Sequence, residues 1–270
     1  MRLATIRRIA VSVFRESVRD KVLYNLVLFA VLLIGASILI GQLSAGQEVK
    51  IIKDLGLASI SMFGLFIAVF IGIGLVSKEV ERRSIYALLS KPITRAQLIV
   101  GKYLGLVLTL AVNVGIMTVA LYLVLAWMNW QTSPAVRETW EAPALDAALL
   151  KAIALLFVQL MVVTAIAVVF STFSSAILSA ALTFGLYVVG HFNADLRNFE
   201  NVLDSRVAAW TARALYYVLP NLAPLDVKTM VVHGQYVSPA YVAVTTAHAL
   251  TYIAALLVLA TWIFSRRDFK

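Results

Sequence analysis

Six stretches without a single Asp, Glu, Lys or Arg, at residues 22–40, 55–76, 103–127, 152–170, 174–190 and 240–264, limit what this chain can fold into. Each is close to the roughly 17 to 25 apolar residues that a helix needs to cross a hydrocarbon core. A backbone in lipid has no water to bond, so such stretches must satisfy their own amide groups as helices. The composition agrees: 61% of the 270 residues are hydrophobic and 14% charged, against an apolar share of about 45 to 50% in soluble domains. The expected fold is all-α and integral to the membrane, a single domain over 1–270 with six spans. The first run has 19 residues, longer than the roughly 7 to 15 of a signal-peptide core, so it is read as an uncleaved span.

Charge gives the orientation. Residues 1–21, 77–102 and 265–270 hold fifteen Lys and Arg against five acidic residues, a net +10. The three opposite loops hold eight against nine, a net −1. Basic loops stay in the cytoplasm, so both termini and the 77–102 loop are expected there, in a cytoplasmic (inner) membrane. The juxtamembrane clustering points to anionic lipid headgroups as counter-ions and away from nucleic acid.

The loop 77–102 carries its own pattern. Glu79, Glu81, Arg82, Arg83 and Ser84 precede Leu88 and Leu89, and Lys91-Pro92 breaks the helix because proline lacks the amide hydrogen. A second short helix is expected over 94–103, with Thr94 as its N-cap. Glu79 and Glu81, the run Ala87-Leu88-Leu89, the stretch from Pro92 to Arg95, and Gly101-Lys102 stand in the order of the cytoplasmic coupling loop of ABC transporter permeases of the type-2 exporter class, which this segment resembles. Many members have Gly-Thr after the acidic pair, where this chain has Arg83-Ser84. The resemblance implies that Glu79, Glu81, Arg82, Arg83, Ser84, Leu88, Leu89, Pro92 and Arg95 meet an ATPase.

At the N-terminus, Leu3, Ile6, Ala10, Val13 and Ser17 share one helical face, with Arg7, Arg8 and Arg15 mostly elsewhere, the pattern of a helix lying in the headgroup plane or of a basic flank that only fixes orientation. In the resembled family such an elbow helix precedes the first span. The loop 191–239 shows Leu196, Phe199, Leu203, Val207, Trp210, Ala214 and Tyr217 at three- and four-residue steps, an amphipathic helix or two ending at Pro220. Phe199, Leu203 and Trp210 are expected to face the outer leaflet or cap a path. Type-2 exporters have external helices here, and the run 216–222 looks like the matching segment of the small six-span permeases related to the nitrous-oxide-reductase maturation permease.

The absences narrow the mechanism. Ion-coupled transporters need ionisable groups inside their spans, and none of the six runs has an acidic or basic side chain. Asn113, Gln159 and His248 are the candidate path-lining groups, although such residues more often bond neighbouring helices. No cysteine occurs, and His191, His233 and His248 lack zinc spacing. No phosphate loop is present, since Ala96 stands where the first glycine before Gly101-Lys102 would be and Tyr103 follows. Gly64, Gly72 and Gly74, and Gly101 and Gly105, allow close helix approach, within one chain or between two. The resemblance therefore implies a non-catalytic exporter subunit without a cofactor of its own. ATP and magnesium would sit in a separate ATPase pair, and a second copy or a related permease would complete the path. A membrane scaffold acting on an external partner, or in metalloenzyme maturation with an accessory protein, is the alternative.

Overall fold

The computed structural model describes residues 2–43, 46–81, 94–191 and 219–266, with backbone alone at residue 2 and residues 74–81. Among these residues every element is helical. Helix α1 (Arg2–Val18) turns through Asp20, whose carboxylate accepts from the Val22 amide at 3.0 Å and so caps α2 (Lys21–Gln42). Then come α3 (Glu48–Glu81), α4 (Arg95–Gln131), the short α5 (Pro134–Arg137), α6 (Ala148–Ser171) and α7 (Ala176–His191). A 3-10 turn at Ala223–Leu225 and the short α8 (Lys228–Val232) lead to α9 (Pro239–Arg266).

Each charge-free run falls in one helix: α2, α3, α4, α6, α7 and α9. Five are long and apolar enough to cross a membrane, in α3 over Glu48–Ile73. The exception is α7, whose 16 residues extend about 24 Å, short of a core about 30 Å thick. By contrast, the 34 residues of α3 and 37 of α4 extend about 51 and 56 Å, so both project well beyond the core.

Helix α6 is the hub. It packs against α3, α4, α7 and α9, and from Leu149 to Ser171 most of its side chains are buried. Glycines on α3 make the closest approach. A Cβ on Gly64 would lie 2.5 Å from Leu160 Cδ1, and one on Gly72 2.7 Å from Ala167 Cβ. These glycines thus serve packing inside the chain, where small residues let helices approach in lipid. Gly56 likewise leaves room for Leu121 of α4.

Three sequence expectations change. The short helix over 94–103 is not separate. Thr94 caps it with a complete capping box, its hydroxyl accepting from the Gln97 amide while the Gln97 side chain accepts from the Thr94 amide. From there α4 runs unbroken to Gln131, because nothing after Pro92 interrupts the backbone ladder. The segment between α3 and α4 thus narrows from 77–102 to 82–93, which lies outside the described residues.

Second, α3 begins well before its charge-free run. It starts at Glu48 and takes in Lys53, which is 1% exposed and donates from Nζ to the Pro143 carbonyl at 2.8 Å. Lys53 is held by the loop between α5 and α6, which folds over the start of α3. That is a structural role, since a buried ammonium persists only with a bonded partner.

Third, the end of the 191–239 loop, which the sequence left without a structure of its own after Pro220, is partly packed into the bundle, although Thr229, Met230 and residues 233–236 stay exposed. Residues 219–237 tuck back into the helix bundle, burying Leu222, Leu225, Val227, Val231 and Val232. The Leu222 amide donates to the Gly190 carbonyl at 2.9 Å, which joins the returning segment to the end of α7. Phe199, Leu203 and Trp210 lie in the stretch 192–218, outside the described residues.

Candidate functional site

Two regions carry the residues singled out by sequence, one at each end of the bundle. At the first end, α1 docks along the opening turns of α4. Gly101 faces Ile6 and Ile9, while Gly105 faces Ala10 and Val13: a Cβ on Gly105 would stand 2.6 Å from the Ala10 carbonyl oxygen. Two successive turns of one helix meet two of the other, so α1 lies beside α4. Val13 and Ser17 are buried in this seam, whereas Leu3, expected on the same face, is 82% exposed. Arg7, Arg8 and Arg15 are exposed on the opposite side.

Arg95 begins α4 and reaches the far end of α9. Its guanidinium donates to the carbonyls of Phe264 and Ser265 at 2.9 and 2.5 Å and lies 6.0 Å from the Phe264 ring centre. The last carbonyls of a helix have no internal partner and carry its negative dipole end, so a cation there satisfies both needs. Beside it, Lys102 is 3% exposed. Glu79 and Glu81 occupy the closing turns of α3. Arg82, Arg83, Ser84, Leu88, Leu89 and Pro92 lie outside the described residues.

At the second end, the loop after α5 is fastened by several polar contacts. Lys53 holds Pro143, Tyr122 donates to the Asp146 carbonyl at 3.0 Å, and the Asp146 carboxylate accepts from the Ala148 amide at 2.7 Å. Glu141 pairs with Lys50 at 3.6 Å and with His233 at 3.4 Å. With Glu141 53% exposed, these pairs add little stability. Lys151 donates to the Val237 carbonyl at 2.8 Å, placing the start of α9 beside the start of α6.

Deeper in the bundle, polar groups follow one another between α3, α6, α7 and the returning segment. The Gln159 amide lies 2.7 Å from His191 Nε2, and His191 Nδ1 is 2.9 Å from the Tyr187 carbonyl. One neutral tautomer, with the proton on Nδ1, satisfies both contacts. Lys228 donates to the Ser61 hydroxyl at 3.2 Å and pairs with Asp226 at 3.3 Å.

Of the three candidate path residues, Gln159 is buried and committed to His191. The Asn113 amide donates to Thr109 of its own helix at 3.0 Å. His248 alone borders a sizeable cavity, formed between residues 219–225 and α9, whose lining includes neither Asn113 nor Gln159. Asn221 on that lining had no distinct sequence signal beyond its place in the run 216–222. Lys53, Lys228 and Ser61 were missed because their partners are distant in sequence.

A bundle of long apolar helices, with an amphipathic N-terminal helix packed on it and charged segments at its ends, defines a multi-pass membrane transport protein. Residues 8–269 match the ABC-2 family transporter protein family, and the chain belongs to that family. It is thus a transmembrane component of an ABC transporter. No match was found among curated proteins.

Proposed function

We propose that this chain is the membrane subunit of an ATP-driven exporter. It couples hydrolysis by a separate pair of ATPase subunits to movement of an apolar, amphipathic or lipid-like cargo out of the cytoplasm or inner leaflet. The ATPase holds ATP and magnesium, and a second copy or a related permease supplies the other half of the path.

The observation that carries this reading is the block at the first end. There α1 seats in the Gly101–Gly105 step of α4, and Arg95 ties the start of α4 to the end of α9. A push on 82–93 would therefore reach α1, α3, α4 and α9 together. The six-span count has a geometric support: α6 ends at Ser171 and turns at once into α7, while α9 starts beside α6's own beginning, where Lys151 holds Val237. On this reading residues 172–238 make one net crossing. With six crossings both termini share the basic, cytoplasmic side.

The test reverses charge on the segment expected to meet the ATPase. Glu79→Lys and Glu81→Lys with Arg82→Glu and Arg83→Glu should sharply reduce co-purification of the ATPase while the folded permease stays in the membrane. Since one surface pair is worth about 0 to 1 kcal/mol, all four changes are needed. Normal ATPase binding by this variant overturns the coupling role.

A second reading is a scaffold acting mechanically on an external partner, as in periplasmic metalloenzyme maturation. It is favoured by the Leu222 to Gly190 backbone bond, which brings the described residues on either side of 192–218 together at one end of α7.

A further inference from the structure

None of the six charge-free runs puts a charge inside the membrane, yet the returning segment does. Lys228, at the start of α8, donates to the Ser61 hydroxyl of α3 at 3.2 Å and pairs with Asp226 at 3.3 Å. Tyr187 of α7 hydrogen-bonds the same hydroxyl.

Helix register gives the level of this cluster. Ser61 stands six residues past Leu55, where the charge-free run of α3 begins, which is about 9 Å along the helix. Gly64 faces Leu160 and Gly72 faces Ala167, so α3 and α6 run parallel, and Ser61 is level with residues 156–158. Those residues also lie inside a charge-free run. The ion pair therefore sits within the outer third of a core about 30 Å thick.

It is not sealed there. The side chains of Lys228 and Asp226 keep 23% and 28% of their surface, whereas Lys53 nearer the outer end is 1% exposed. A charge at such depth does not face hydrocarbon; it turns to protein or to a water-filled cavity. Protein covers only part of this pair, so water supplies the rest.

We infer that Asp226 and Lys228 line a water-filled vestibule that enters the outer side of the bundle beside α3 and α7, with Ser61 and Tyr187 behind them. A carboxylate and an ammonium side by side take the charged or strongly polar end of a molecule and not its apolar body. That this vestibule is the outward end of the path, holding the polar end of the cargo, rests on the exporter reading. The vestibule itself does not.

The chain has no native cysteine, so single cysteines report water directly, because a thiol reacts as its thiolate and hydrocarbon suppresses that form. The full chain is placed in spheroplasts of a bacterial host, and cationic or anionic methanethiosulfonate reagents that do not cross membranes are added outside. Ile116→Cys is the control. Gly56 faces Leu121 and α4 runs opposite to α3, so Ile116 is level with Ser61, on a flank where it is 47% exposed. Lys228→Cys and Asp226→Cys should each react about tenfold faster than Ile116→Cys, or more. With Asp226 left in place, Lys228→Cys should favour the cationic reagent; with Lys228 left in place, Asp226→Cys should favour the anionic one. Thr229→Cys, exposed beside the intact pair, should react as fast and serves where either variant fails to fold. Rates no faster than that of Ile116→Cys overturn the proposal. All slow would mean that lipid, protein or a second copy of the chain closes the site, and all fast that this level lies outside the hydrocarbon. An absent or reversed charge preference overturns it too. The charge reversal at 79–83 decides the exporter reading by ATPase binding, so either can fail alone.

Discussion

The guanidinium of Arg95 bonds the carbonyls of Phe264 and Ser265, joining the first turn of α4 to the last turn of α9 across most of the sequence. By sequence, Arg95 belonged with the residues expected to face an ATPase. The structure gives it internal partners, which link the start of α4 to the end of α9.

Arg95→Met keeps the aliphatic stem and removes both bonds. Hydrogen bonds from a charged donor are each worth about 1.5 to 3 kcal/mol when well buried, and less at this half-buried site. The last turn of α9 should fray, seen as faster amide exchange over 261–266, with the rest of α9 unchanged. Unaltered exchange there would show that the contact carries no load.

Gly105→Leu places side-chain atoms where Ala10 and Val13 already stand. Overpacking of this kind costs about 1 to 3 kcal/mol, and α1, held on one side only, should move off. The chain has no native cysteine, so spin labels at Ser12→Cys and Leu108→Cys report the separation directly. The distance distribution should lengthen and broaden in the variant. Gly115→Ala, where nothing lies within 4 Å, is the matched control.

Lys53→Met removes the donor from Pro143 and leaves that carbonyl without its partner. The unsatisfied group costs about 1 to 3 kcal/mol, which should loosen the loop over 132–147 without unfolding the bundle. A cysteine at Thr139 should then react several-fold faster with a membrane-impermeant thiol reagent. An unchanged rate would mean that α5 and Tyr122 suffice to hold the loop.

The unequal charge of the two faces predicts where reporters go. A reporter after Lys270 should remain cytoplasmic, and one inserted at Gln235, in the exposed turn before α9, should be exported. Both reporters on one side would mean that 172–238 makes no net crossing.

What the sequence determined on its own is that its six charge-free runs are helical. Charge-free runs had to become helices because lipid offers the backbone no alternative partner, and Thr94 marked the start of α4 by its own local chemistry. The family resemblance was legible in the Glu79 to Lys102 pattern for the same reason, since such a motif is local. Tertiary structure decided everything that depends on distant residues meeting. Gly101 and Gly105 were equally suited to packing within a chain or between chains, and only the position of α1 assigned them to Ile9, Ala10 and Val13. Lys53 read as a loop residue until Pro143 reached over it, and the helix-to-helix bond expected of Gln159 as the commoner role acquired its partner, His191, only in the fold. His248 and Asn221 became neighbours of one cavity only when residues 219–225 folded back against α9. In lipid the apolar pattern fixes that a helix forms, but close packing and hydrogen bonding choose its neighbours, and those depend on shape complementarity that no single stretch of sequence contains.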